Sequence, residues 1–319
     1  MACPSCGTSE HLYGAFRRPV KKLMLNCARS RCRPQYLVFP GDANGFAIDD
    51  QYFIGDSGLL VKPAVTAEAT SVDFYLAEEQ PYYHYSTNQV YFGAEGGKRV
   101  SVPAPLTSEV PLLQRGGSVL PLRLRERRAA ELGAHDPITL VIALNKPAMN
   151  EEVGQVRALG LLYSDDGQTY AHEEGKFSWR RFVVTEEPES GRQVLSNVDE
   201  YAVRGMNEDM SGMSDVTIAP KLEDYDASNN EFSRSIEDVR VEKIVFLGVE
   251  RAPRTVHVDG QVLEFEYVRG TSATPSLAKG VKSALLGGGG GGGAGVASKL
   301  VISKPNLRVI DAWQLVVDY

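Results

Sequence analysis

Short runs of β-branched and aromatic residues, each ended by glycine or proline, follow one another along most of this 319-residue chain. Val72–Leu76 is an example, since its residues alternate in polarity as those of a half-buried strand do. A long helical period is nowhere apparent. Many short strands with regular turn signals are typical of β-sandwiches. The sequence therefore predicts an all-β fold of two stacked antiparallel β-sandwiches.

The second half of the chain carries the clearest hairpin signal. Asp259-Gly260 lies between two alternating runs, Thr255–Val258 and Val262–Tyr267. Both positions of such a two-residue turn adopt positive φ, which favours Asp-Gly. Trp313–Val317 is predicted to be the closing strand.

Changes in composition divide the chain into regions. We predict a basic leader at 1–32, a first sandwich at 33–124, a linker at 125–135 and a second sandwich at 136–319, with inserts at 203–235 and 287–295. The second insert opens with seven consecutive glycines, 287–293. Because such a run buries no apolar surface and does not limit its backbone entropy, we expect a disordered loop between two strands.

The charge distribution excludes some classes of partner. The whole chain carries a formal charge of -7, and residues 1–33 contain seven basic residues and one acid, so residues 34–319 carry -13. This balance argues against nucleic acid as a partner. No apolar run approaches the length of a membrane span, and the N-terminus lacks the apolar core of a secretory signal. Made as written, the chain is expected to stay in the cytosol.

All four cysteines lie in the leader, at Cys3, Cys6, Cys27 and Cys32. Cys3-Pro4-Ser5-Cys6 is similar to half of a zinc knuckle, and the other two thiolates are candidates to complete a tetrahedral site. The second pair has four intervening residues instead of two, so the match is imperfect. Unstructured sequence with free thiols is an alternative. A truncated or mispredicted gene start, or an alternative exon, without evolved function is the favoured interpretation.

Several motifs occur in a fixed order. They are Arg33–Pro40, Asp49–Asp56, Leu59–Pro63, Gln114–Pro121 and Tyr163–Gly167. In this order and spacing they resemble the C-terminal third of a family 31 glycoside hydrolase, and within that family the glucosidase II type of α-glucosidase. The resemblance implies that Arg33–Pro40 corresponds to the last strand of a catalytic (β/α)8 barrel, followed by a proximal and a distal β-sandwich.

The resemblance also implies what this sequence lacks. Family 31 enzymes cleave with retention, using two carboxylates about 5–5.5 Å apart on separate barrel strands. The motifs that carry those acids lie upstream of the last barrel strand and match nothing in residues 1–32. No catalytic residue is therefore assigned, and we predict an inactive chain with a structural role. The alternative is a stand-alone carbohydrate-binding or interaction module, with zinc at the N-terminus.

For a complete enzyme, the resemblance implies hydrolysis of α-linked glucose from N-glycans in the endoplasmic reticulum lumen. It also implies a β regulatory subunit as partner and no cofactor. The isolated chain is expected to dissolve poorly, because the surface that would meet the barrel is bare.

Four features of the sequence are given structural interpretations. Asp49-Asp50 and Asp165-Asp166 are predicted to hold turns, since the carboxylate at an Asp-Gly turn usually accepts hydrogen bonds from nearby backbone. Arg115 is predicted to be a buried structural charge, with Asp56 as a candidate partner. The cluster Tyr82–Tyr85 could stack on sugar rings, but a strand beside the core is favoured.

Overall fold

The structure is a computed structural model that describes residues 32–105, 110–129, 131–146, 155–206, 230–272 and 295–319. Its strands are β1 (Cys32–Pro34), β2 (Tyr52–Ile54), β3 (Leu59–Val61), β4 (Ser71–Leu76), β5 (Pro81–His84), β6 (Val90–Phe92), β7 (Lys98–Pro103), β8 (Leu112–Arg115), β9 (Ser118–Leu122), β10 (Ile138–Ala143), β11 (Gln155–Ser164), β12 (Ser178–Glu186), β13 (Gln193–Asp199), β14 (Arg240–Leu247), β15 (Thr255–Val258), β16 (Gln261–Val262), β17 (Phe265–Val268), β18 (Thr271–Ser272), β19 (Gly295–Val296), β20 (Lys299–Arg308) and β21 (Trp313–Asp318). The predicted all-β class is confirmed.

The helices are short. They are α1 (Gln35–Val38), α2 (Glu200–Met206) and α3 (Glu231–Ser235), with 3-10 helices at Ala43–Ala47, Glu131–Gly133 and Ala171–Glu174. Among the described residues, none of the helices has the length and apolar character that a membrane crossing requires.

The N-terminal sandwich is small. Six strands form one sheet in the order β1-β2-β3-β8-β5-β6, and β4 pairs with β7 in a second sheet. Phe53 and Leu113 of the first sheet pack against Phe74 and Val102 of the second in one buried cluster. Burial of these side chains between the two sheets is the main force that holds this sandwich together.

The C-terminal unit is built on one curled sheet of eleven strands, in the order β16-β15-β21-β13-β12-β11-β9-β10-β14-β20-β17. Its core contains large buried side chains from strands across the sheet, among them Phe182, Phe246 and Leu315. Most pairs are antiparallel as predicted, but β10 pairs with β14 and β9 with β11 in parallel.

One continuous segment forms both edge strands of this large sheet. Asp259 and Gly260 have φ of 50° and 81°, and β15 pairs with β16 across them, so the predicted hairpin is confirmed. The run Val262–Tyr267 is not a single strand, however. Strand β17 leaves the hairpin and pairs with β20 at the opposite edge. The curl of the sheet therefore allows one short segment to form both of its edge strands.

The two units are joined at Gly116-Gly117. Strand β8 belongs to the small sheet and β9 to the large one, so residues 118–122 pair within the C-terminal unit. Gly116 N donates to Pro81 O at 2.7 Å, and Gly117 N donates to Ala143 O at 2.8 Å. The Tyr83 hydroxyl donates to Leu144 O at 2.9 Å. These contacts fix the orientation of one unit on the other.

Parts of the predicted regions lie outside the described residues. They include residues 1–31 of the leader, 207–229 of the first insert and the seven glycines. Strands β18 and β19 pair with each other, and the glycines lie between them in the sequence. Within the predicted barrel segment Arg33–Pro40, β1 ends at Pro34 and α1 follows, since proline has the fixed φ of a helix start and no N–H to leave unpaired.

Candidate functional site

Three of the five family-like motifs, those at Arg33–Pro40, Asp49–Asp56 and Gln114–Pro121, meet around one cavity of about 220 Å³. The β2–β3 turn and the β8–β9 turn supply most of its wall, and β1, α1 and β11 supply the rest. Its lining residues are Arg33, Val38, Phe53, Gly55, Asp56, Gly58, Arg115, Gly116, Gly117, Ser118 and Leu159. Motifs about 60 residues apart in sequence therefore form one site, which we call the motif pocket.

Glycines allow the two turns to approach closely. A Cβ on Gly58 would lie 2.6 Å from Ser118 Cβ, and Gly58 has a φ of 75°. A Cβ on Gly116 would lie 2.9 Å from Pro81 O. No side chain fits at either position, because such separations are well inside van der Waals contact. The β8–β9 turn at Gly116-Gly117 is therefore a tight backbone passage where the two units meet.

The charges of the motif pocket are paired. Arg33 forms an ion pair with Asp56. Arg115 forms a bidentate pair with Glu78, in which Nη2 lies 2.7 Å from Oε2, and its guanidinium stacks 5.0 Å from the centre of the Phe39 ring. The predicted pairing of Arg115 with an acid agrees with this geometry, but its side chain is 35% exposed and not buried as predicted. The acid that pairs with it is Glu78, whereas Asp56 had been the candidate.

An apolar surface lies beside the pocket. Tyr36, Leu37 and Phe46 are 38%, 50% and 66% exposed, and the rings of Tyr36 and Phe46 stack at 5.4 Å with an angle of 9° between their planes. We call these three residues the aromatic ridge. Helix α1 connects the ridge to the pocket, because the next residue, Val38, lines that pocket. Neighbouring exposed apolar residues of this kind are typical of a surface covered by other protein.

The tyrosine cluster belongs to the core. Tyr82 is fully buried and its hydroxyl donates to Glu78 Oε1 at 3.1 Å, while Tyr83 is buried against the C-terminal unit. Burial raises the pKa of both phenols. Their rings are inaccessible to a sugar, so the favoured core interpretation is confirmed for these two residues. His84 and Tyr85 are half-buried.

The two acid pairs hold local structure. Asp50 forms an ion pair with Lys62 at 2.6 Å, and Asp49 is exposed. Asp165 Oδ1 accepts a hydrogen bond from Gly167 N at 2.9 Å. Asp166 accepts from the backbone N–H of Gln168 and from Thr169, which lowers the pKa of its carboxyl to about 2. The predicted turn role of Asp165-Asp166 is confirmed.

The zinc hypothesis stays a prediction. Cys3, Cys6 and Cys27 lie outside the described residues, and Cys32 is half-buried on β1. Across the residues that the structure describes, no three His, Cys, Asp or Glu side chains are grouped closely enough to hold a metal ion.

Comparison with known proteins connects this site to a family. Residues 29–120 match the glycosyl hydrolase family 31 C-terminal domain. The chain is 46% identical over 149 residues to Glucosidase 2 subunit alpha of Schizosaccharomyces pombe, which is 47% of this chain and 15% of that protein. It is 28% identical over 284 residues to Probable glucan 1,3-alpha-glucosidase of Oryza sativa subsp. japonica, which is 89% of this chain and 24% of the relative. The predicted family resemblance is confirmed.

A solved structure of a glucosidase II complex is also similar to this chain. A crystal structure of the ER glucosidase II heterodimeric complex, which consists of a catalytic subunit and the binding domain of a regulatory subunit, matches with a TM-score of 0.63 and 28% identity. The match covers 91% of this chain and 25% of that one. This chain thus spans about a quarter or less of the length of the relatives described here.

Sequence reasoning missed two parts of the site. Glu78 was not identified, because it lies 37 residues from Arg115 in a loop that belongs to none of the family-like motifs. The aromatic ridge was missed as well, although a bare barrel-facing surface was expected. A signal for it does exist, since Phe46 is an aromatic residue inside the polar, glycine-containing segment 41–50.

Proposed function

We propose that this chain is the non-catalytic C-terminal part of an α-glucosidase of the glucosidase II type. The observation that carries the proposal is the match to a glucosidase II structure over 91% of the chain, including both sandwiches. A complete enzyme of this kind would hydrolyse α-linked glucose from N-glycans in the endoplasmic reticulum lumen. It would pair with a regulatory subunit, as the matched heterodimer does.

The role of this part is structural: it braces the catalytic barrel. The aromatic ridge and the motif pocket are the surface on which the barrel would rest. The ridge offers exposed apolar area, whose burial is favourable, and the pocket beside it accepts a protruding loop. Because Arg33 and Arg115 already have acidic partners, the loop that enters need not carry a charge.

The acids singled out in the sequence favour an inactive chain. Retaining hydrolysis needs one carboxylate as nucleophile and another as acid and base, about 5–5.5 Å apart across the scissile bond. Asp50 is paired with Lys62, and Asp165 and Asp166 accept hydrogen bonds within their own turn. A carboxylate engaged in this way is a poor nucleophile or proton donor.

The test measures activity and assembly together. The chain is assayed with a chromogenic α-glucoside, alone and after mixing with the separately expressed remainder of the S. pombe subunit. We expect no turnover by the chain alone, and co-elution of the two proteins in size-exclusion chromatography. The double variant Leu37→Ser, Phe46→Ser should lose this co-elution.

Val65→Ser is the matched control, because Val65 is 77% exposed in the same sandwich but lies outside the ridge. Turnover by the chain alone would refute the structural role. Unchanged assembly of the double variant would refute the docking surface.

A further inference from the structure

A second group of aromatic residues lies at the far end of the β11–β12 hairpin, in the C-terminal unit. Tyr163 and Trp179 are directly opposite each other on these strands, and their rings contact edge to face at 6.3 Å. Tyr163 also stacks on Phe177 at 5.5 Å. The side chains of Tyr163 and Trp179 are half-buried, whereas their neighbours Leu162 and Arg180 are buried. The two rings therefore lie on the outer face of the sheet.

The loop that joins the two strands is held in one conformation by its own side chains. Asp165 and Asp166 accept hydrogen bonds from the backbone N–H groups of residues 167, 168 and 169, at 2.9 to 3.1 Å. A 3-10 helix at Ala171–Glu174 follows and ends at Gly175, which has a φ of 82°. A loop fixed in this way loses little entropy when a ligand binds to it.

Tyr170 projects from this loop. It is 78% exposed, immediately before the 3-10 helix, and its ring lies 6.1 Å from that of His172. A ring so exposed contributes little to the core, and the rigid loop presents its face to solvent. The phenol offers an apolar face together with a polar hydroxyl, which suits a ligand that has both kinds of surface.

Several carboxylates are close to Tyr170 in sequence. Asp166, Glu173 and Glu174 are exposed, and the nearby cation Lys176 lies 3.3 Å from Glu174 and 3.1 Å from Glu231. Ionised carboxylates repel phosphates and other anions, but they accept hydrogen bonds from hydroxyl groups. The charge therefore disfavours anionic ligands and suits a neutral molecule rich in hydroxyl groups.

We propose that this end of the hairpin binds a neutral oligosaccharide. The apolar face of a hexopyranose ring stacks on Tyr170, its hydroxyls donate to the neighbouring carboxylates, with Glu173 as the leading acceptor, and Tyr163 and Trp179 contact a further sugar unit. The site goes beyond the structural role proposed above and does not depend on it.

Tryptophan fluorescence tests this site. The protein has two tryptophans, and Trp313 is only 6% exposed, so Trp179 is the one placed to report binding. Titration with maltotriose should give a saturable change in emission. Tyr170→Ala should weaken binding about tenfold, since it removes one apolar contact face. Tyr170→Phe should retain most of the affinity, and Glu173→Gln should weaken binding less than Tyr170→Ala does.

Phe46→Ala is the matched control, because it removes an exposed ring from the other sandwich and should leave maltotriose binding unchanged. Absence of saturable binding to the parent protein would overturn the proposal. So would an affinity of Tyr170→Ala equal to that of the parent, with circular dichroism showing that both are folded. Neither result bears on assembly with the catalytic part, which the ridge variants test separately.

Discussion

The two sandwiches expose aromatic rings in different surroundings. In the small sandwich, Tyr36 and Phe46 stack on each other, and Leu37, next to Tyr36 in the chain, is exposed as well. In the C-terminal unit, Tyr170 lies beside His172 on a loop that also carries exposed carboxylates. Exposure of a ring by itself does not identify a partner. Its neighbours do, because apolar neighbours favour another protein surface and acceptors favour a hydroxyl-rich ligand.

The two units also differ in the strands that lie at the edges of their sheets. The segment Gln261–Val268 forms both edge strands of the large sheet, β16 and β17. The small sheet has β1 as an outer strand, immediately followed by the helix that carries the ridge. The edge strands of the large sheet thus come from one segment, whereas the small sheet ends in a strand that leads into an apolar surface that further protein can cover.

The largest expected effect concerns the packing of β11 against β9 inside the C-terminal unit. A Cβ on Gly160 of β11 would lie 2.1 Å from Val119 O of β9. Gly160→Ala should therefore push β11 away from β9 and lower the free energy of unfolding by about 3 kcal/mol. Urea denaturation measures this change.

Gly41→Ala is the control, since no atom lies within 4 Å of its added Cβ. A Gly160→Ala protein that unfolds at the same urea concentration as the parent would show that β9 and β11 are not closely packed.

A smaller effect is expected from the aromatic ridge. Leu37→Ser, Phe46→Ser removes exposed apolar area, so it should reduce self-association of the isolated chain while changing its unfolding free energy by only about 0.5 kcal/mol. Sedimentation velocity at several protein concentrations measures the association. Tyr170→Ala, made in parallel, should leave self-association unchanged. If both variants reduced association equally, the distinction between the two surfaces would fail.

The smallest effect concerns the Asp166 turn and its dependence on pH. Hydrogen bonds from Thr169 and Gln168 lower the pKa of Asp166 to about 2 in the folded protein, while an unfolded aspartate has a pKa of about 3.9. The carboxylate therefore stabilises the fold above about pH 4, and that contribution is lost as the pH falls toward about 2.

Asp166→Asn should have a shallower fall in melting temperature over this interval than the parent. Asp49→Asn, at an exposed position, is the comparison. Parallel curves for the parent and Asp166→Asn would contradict the assigned cause of the shift.

Local features of the fold were predictable. The Asp259-Gly260 hairpin, the Asp165-Asp166 turn and the strand at Trp313–Val317 each depend on a few adjacent residues. Their conformations follow from turn chemistry and alternation, which the sequence states directly. The division of Val262–Tyr267 between two strands was not predictable in the same way. Its residues alternate as one strand would, and only the curl of the large sheet separates them into β16 and β17.

The sequence by itself determined the all-β class, the order of the motifs and the family they resemble. The tertiary structure alone decided that Glu78 is the partner of Arg115, that β9 pairs in the large sheet, and that the ridge lies beside the motif pocket. The physical reason is the range of the interactions. Turns and alternation arise between neighbours in the chain, whereas ion pairs, sheet order and exposed surfaces depend on segments brought together by folding.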